Sequence, residues 1–310
     1  MLVCGGFHKN QSMTPICEVI NLKSSNSNCK NLPNFPVLVA GAIGGLGLKD
    51  TPIICGGLQI DYLSKRCYSL KNKEWVSSYS MNSAKALSGV AQLQDGKLLV
   101  SGGLIGSELL NSLEMLTEEG WENDAPFLPV SIASHCMVQI NSTTVMIIGG
   151  SQNNQDYTAN TFYLNIKEHK WTEGPKLANG RASHSCGRIR KDSNSQEISI
   201  IVAGGVAGWS DNAASPNVTT SVEILDKGSN VWRKGPALPF GIGASQMVEV
   251  DDGGVALIGG GSGSELYLDT IFQLPHGGKN AGWTEMKQKL TTGRNSHTAF
   301  LVPDNIVNCS

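Results

Sequence analysis

The chain has 310 residues, a length that fits two average domains or one large all-β ring. Its 36 glycines, 16% charged and 40% hydrophobic residues describe a core-forming, turn-rich globular protein and exclude a disordered or fibrous one. A net charge of −2 with thinly spread Lys and Arg excludes a phosphate-neutralising stripe, and no apolar run approaches the roughly 20 residues that cross a bilayer, so neither nucleic acid nor membrane insertion is expected.

Met1 to Gly6 reads as a strand entering a turn; it has no charged start or long apolar stretch, so a secreted form would need a leader ahead of it. The strand ends in Gly5-Gly6. The same ending returns at Gly56-Gly57, Gly102-Gly103, Gly149-Gly150, Gly204-Gly205 and Gly259-Gly260, between 46 and 55 residues apart. Such a period marks supersecondary units that bury their faces only against one another. After each pair comes a short strand, seen in Glu18-Val19-Ile20, Leu113 to Leu116, Thr161 to Leu164 and Val222 to Leu225. A tryptophan follows in five repeats (Trp75, Trp121, Trp171, Trp232, Trp283), while Cys29 holds that place in the first. Ser88, His135, His184, Ser245 and His297 then open the next inner strand, 13 or 14 residues on.

The glycine pair, the later tryptophan and an R-x-x-H entry, seen in Arg181 to His184 and Arg294 to His297, resemble the kelch family across nearly the whole chain. The resemblance implies an all-β, six-bladed β-propeller of four-stranded blades. Gly293 to Leu301 is an inner strand with no blade left after it, and the first repeat lacks one. The C-terminal strand is therefore expected to complete the first blade, closing residues 1–310 into one domain without open sheet edges. Glycine permits a steep turn close to a neighbour, and an indole fills the gap between wedge-shaped sheets, so both marks are expected to be structural.

Cys4 and Cys55 each precede a glycine pair, and Cys17 and Cys67 take matching places on the next strand. Opposed positions on antiparallel strands lie within disulfide reach, so Cys4–Cys17 and Cys55–Cys67 are expected, the alternative being buried free thiols. Cys309 arrives near Cys29 and would staple it, with Cys17–Cys29 as an alternative. Cys136 and Cys186 lie on neighbouring inner strands but one residue out of phase, an offset that points side chains to opposite sheet faces and makes theirs the weakest pairing. Sequons at Asn10, Asn141, Asn217 and Asn308 fall in expected turns, loops or the tail. With the cysteines they favour an extracellular location, cytoplasmic being the alternative.

The recurring His135, His184 and His297 fit the family's structural histidine, and no Cys-x-x-Cys or His-x-x-x-His spacing supports zinc, so no metal or other cofactor is expected. No tyrosine, histidine and cysteine set matches a copper-radical sugar oxidase, no S-x-D-x-G-x-x-W box a sialidase, and no G-x-S-x-G elbow a hydrolase. A monomeric, non-catalytic scaffold for a protein or glycan ligand is the expected function. The alternatives are an intracellular adaptor of the ubiquitin-ligase or actin-associated kind and a propeller carbohydrate enzyme. Ligand contacts are expected on the loops after the glycine pairs: Trp209 and Asp211 in the longest of them, and Asn154 with Tyr157 in its neighbour. Arg181 and Arg294 join this set, with pairing to neighbouring acids as their alternative.

Overall fold

The computed structural model describes residues 1–23, 28–29, 32–123, 126–152, 157–192, 195, 197–209, 216–277 and 282–307, leaving out the side chains of 28, 29, 208, 209 and 216. Six four-stranded antiparallel sheets form a β-propeller. The second blade runs Ile43–Leu46, Pro52–Cys55, Cys67–Lys71 and Glu74–Ser78 from the axis outward, and the four blades that follow repeat this order. The first is composite: Thr298–Phe300 pairs with Leu2–Cys4, which pairs with Cys17–Ile20 and then Asn28–Cys29. The C-terminal strand thus closes the ring as expected.

The second strand of each blade is a short apolar run because neighbours cover it on both faces. Thr144–Ile148 shows how: Met146 and Ile148 pack with Ile200, Val202 and Trp232 of the next blade, while Val145 and Ile147 pack with Leu99 and Leu113 of the one before.

Every glycine pair has positive φ at both residues. The second glycine donates its N–H across the blade boundary: Gly6 to Val39, Gly57 to Lys85, Gly103 to Ile132, Gly150 to Arg181, Gly205 to Ile242 and Gly260 to Arg294, at 2.8 to 2.9 Å. A Cβ on Gly205 would lie 2.7 Å from the Ala182 carbonyl oxygen, so this approach needs glycine. The tryptophans staple the same boundaries farther out. The Nε1 groups of Trp75, Trp121, Trp171, Trp232 and Trp283 donate to the carbonyls of Pro33, Tyr79, Pro126, Pro175 and Pro236.

Around the axis, a third set of links forms a closed circle. Leu87 donates its N–H to the Gly41 carbonyl, Ser134 to Leu87, Ser183 to Ser134, Ala244 to Ser183, Ser296 to Ala244 and Gly41 to Ser296, at 2.8 to 3.0 Å. All six residues have φ between 50° and 61°. The left-handed conformation costs a non-glycine residue about 1–2 kcal/mol, which the shared circle of hydrogen bonds offsets.

Cys4–Cys17 and Cys55–Cys67 form as expected, with Cα atoms 4.2 and 4.1 Å apart on paired strands. The Cys29–Cys309 staple lies outside the described residues. Cys136–Cys186, the pairing the parity argument disfavoured, is a disulfide with Cα atoms 6.0 Å apart. Parity within one sheet does not govern a bridge between two. Stacked blades present opposite faces to each other: Val138, on the face of Cys136, packs toward the fifth blade, while Cys186 stands opposite Val202 on the face turned back to the fourth. An odd offset is what such stacking requires.

Candidate functional site

The inner strands start at the hydrogen-bonded circle, so the loops after the glycine pairs and the connections into each inner strand share one side of the ring. Most exposed large apolar side chains lie there. In the second and third blades they include Leu58, Ile60, Tyr62, Leu87 and Ile105, with Ile60 and Tyr62 68% and 53% exposed. Leu58 bridges to Ala40, and Leu87 rests on Gly41, which joins the two blades' contributions at the rim of the circle. Composition alone did not reveal this patch; alignment of the loops on the glycine pairs is the signal that would have found it.

Tyr157 belongs to the same side in the fourth blade, half-buried and bridged to Ser151. Trp209 ends the strand Val206–Trp209, whose partner Pro216–Val218 makes the longest loop a hairpin; its side chain, Asp211 and Asn154 lie outside the described residues. Asn217 stands in that second strand and Asn141 ends the inner strand Cys136–Asn141, rather than either lying in a turn; both are exposed, as is Asn10. Asn308 is outside the described residues.

Arg181 and Arg294 are fully buried, which removes them from any surface a ligand touches. Ion pairing describes them instead. Arg181 meets Glu223 at 2.6 Å and donates to the carbonyls of Gly204 and Ser221; Arg294 meets Glu18 at 2.8 Å and donates to those of Gly5 and Ile16. The other carboxylate oxygen accepts a backbone N–H three residues before the arginine, from Ala178 or Thr291. Desolvation lowers both guanidinium pKa values from their usual range, opposed by the paired glutamates. Lys85, which no family motif marks, makes the third such site: Nζ lies 2.7 Å from Glu114, whose Oε2 accepts the Asn82 N–H. The signal was present, since Glu18, Glu114 and Glu223 recur on third strands and each cation stands three residues before Ser88, His184 or His297.

The three histidines stand between blades, where the Ser101 hydroxyl lies 2.7 Å from Nε2 of His135. Burial, joined by the nearby charges of Lys85, Arg181 and Arg294 respectively, lowers the pKa of His135, His184 and His297 from 6.5 to about 3. They are neutral wherever the protein is folded near neutrality. Among the described residues, no three His, Cys, Asp or Glu side chains converge as a metal site.

The axial channel encloses about 610 Å³, lined by inner-strand residues of all six blades. None of the six residues of the hydrogen-bonded circle lines it, while Asp50, Gln94, Gly96 and Leu301 do, so it opens toward the side opposite the loop face. Its wall carries Arg188, which grips Glu249 through Nε and Nη2 at 2.6 and 3.0 Å. Among the described residues no helix is long and apolar enough to cross a membrane.

No family model matches the chain, and no curated protein does. Solved structures do, among them one described as "Structure of YjhT", similar with a TM-score of 0.74 and 14% identity over 92% of this chain and 97% of that one. That similarity reaches the fold: this chain is a six-bladed β-propeller.

Proposed function

We propose that the ring is a divergent kelch-type propeller acting as a single-domain, non-catalytic extracellular scaffold that binds a protein ligand through its glycine-pair face. The observation that carries this reading is the exposed apolar set Leu58, Ile60, Tyr62, Leu87 and Ile105 on adjacent blades of a rigid frame. Exposed apolar groups gathered on one face mark protein contacts, and an aromatic among them supplies large contact area at little entropic cost. Such a set favours a protein over a glycan, whose recognition rests mainly on hydrogen bonds. Tyr157 and the hairpin strand Val206–Trp209 carry the face on to the fourth and fifth blades, and we count Trp209 among its contacts. The extracellular location is supported by three disulfides and by sequons exposed at Asn10, Asn141 and Asn217, which we read as glycosylated.

Affinity capture from extracellular fluid, comparing the native protein with Ile60→Asp and Trp209→Ala, tests the face. At least one partner recovered by the native ring is expected to be lost with Ile60→Asp. Equal recovery of every partner by all three proteins overturns the reading, and eight free thiols in the native protein overturn the compartment.

A further inference from the structure

The inner strands share one register, counted from the residue that follows the hydrogen-bonded circle: Ala42, Ser88, His135, His184, Ser245 and His297. Four residues beyond it, every blade places a side chain on the channel wall at one level: Leu46, Gln92, Gln139, Arg188, Glu249 and Leu301. Four consecutive blades are polar at this level and the remaining two carry leucine.

The polar arc is oriented. The Gln139 Oε1 accepts the Gln94 N–H at 2.8 Å, and the Gln92 Oε1 accepts the Leu46 N–H at 3.4 Å. A backbone N–H can be answered only by the amide oxygen, so both NH₂ groups are left as donors. Neither has a protein partner among the described residues, although Gln139 is 5% exposed. Arg188 spends Nε and Nη2 on Glu249 and keeps Nη1. Three donors in successive blades therefore stand beside a carboxylate, while Leu46 and Leu301 face them. The charges of Arg188 and Glu249 cancel, so the level is donor-rich and neutral overall. A cavity of this volume is of ligand-binding size.

We propose that this level of the channel is a second binding site, on the side away from the loop face, for a small neutral polyhydroxylated ring of the monosaccharide class. Its oxygens accept from Gln92, Gln139 and Arg188, a hydroxyl donates to Glu249, and its C–H face lies on the two leucines. The site does not depend on the loop-face reading.

Calorimetry and saturation-transfer NMR on the intact ring, with glucose, galactose, N-acetylglucosamine and myo-inositol as probes, test it. One of them is expected to bind with a Kd of about 1 mM or below. Gln92→Leu, at an exposed position whose side chain makes, among the described residues, just the long bond to Leu46, is expected to weaken it at least about tenfold, and Tyr62→Ala to leave it unchanged. Arg188→Met is a second probe of the same level. Absence of binding by all four compounds, or equal affinity in the native, Gln92→Leu and Arg188→Met proteins, overturns the proposal.

Discussion

Lys85, Arg181 and Arg294 hold one position in three blades, yet only the arginines also bond carbonyls. A guanidinium offers five donors in a planar fork, and an ammonium answers the carboxylate as a point charge. Removing a carboxylate from such a buried pair leaves a cation without compensation, which costs about 3–5 kcal/mol. Glu223→Ala is therefore expected to lower unfolding stability by that amount in urea titration, whereas breaking an exposed, solvent-screened pair such as Lys191–Glu197 is expected to leave the midpoint nearly unchanged. Lys85→Arg is expected to act in the opposite direction. It would add the Gly102 and Ser112 carbonyl contacts that the other two sites possess, raising stability by about 1 kcal/mol, read as a higher urea midpoint at unchanged slope.

Blade, strand and closing strand were legible from the spacing of glycine pairs, tryptophans and inner-strand openers, because each of those residues acts within a fixed span of chain. Cys4–Cys17 and Cys55–Cys67 were legible for the same reason, since antiparallel pairing decides them inside one sheet. What joins blades was not. The hydrogen-bonded circle uses backbone groups of unlike residues (Leu87, Ser134, Ala244), and Cys136–Cys186 depends on which faces two sheets turn to each other. The channel level escaped notice because its residues share a register and no common residue type. These elements also differ in exposure. Cys4, Cys17, Cys55 and Cys67 are buried, whereas Cys136 and Cys186 are partly exposed on the channel wall. Thiolate attack on a disulfide needs access. A dilute reductant followed by alkylation and peptide mapping is expected to label Cys136 and Cys186 before the other four; simultaneous labelling of all six would contradict it.

At the scale of the whole ring, the blades alternate. Two-stranded hairpins rise above the first, third and fifth: Phe7–His8 with Ser12–Met13, Leu104–Ile105 with Glu108–Leu109, and Val206–Trp209 with Pro216–Val218. The same three blades hold the buried cation–glutamate pairs, while the equivalent positions of the others hold Val39 with Tyr68, Ile132 with Phe162 and Ile242 with Phe272. The structural unit is thus a pair of blades used three times. Each cation stands near an interblade histidine and, after burial, adds to the lowering of its pKa, so the acid response of the molecule is multiplied as well. A histidine titrating near 6.5 when unfolded and near 3 when folded leaves stability intact above pH 6.5. Below that the unfolded chain binds protons the folded one refuses, and stability falls as pH drops toward 3. Three such groups give a slope approaching about 4 kcal/mol per pH unit, against a total stability of about 5–15 kcal/mol for a folded domain. The ring is expected to unfold between about pH 4 and 5, far above the point at which its histidines protonate in place. Urea midpoints measured from pH 7.5 to 4.5 check this through their slope, which should report an uptake near three protons on unfolding, and near two in His297→Gln. A midpoint independent of pH from 6.5 to 5 would show that these imidazoles are not held neutral between the blades.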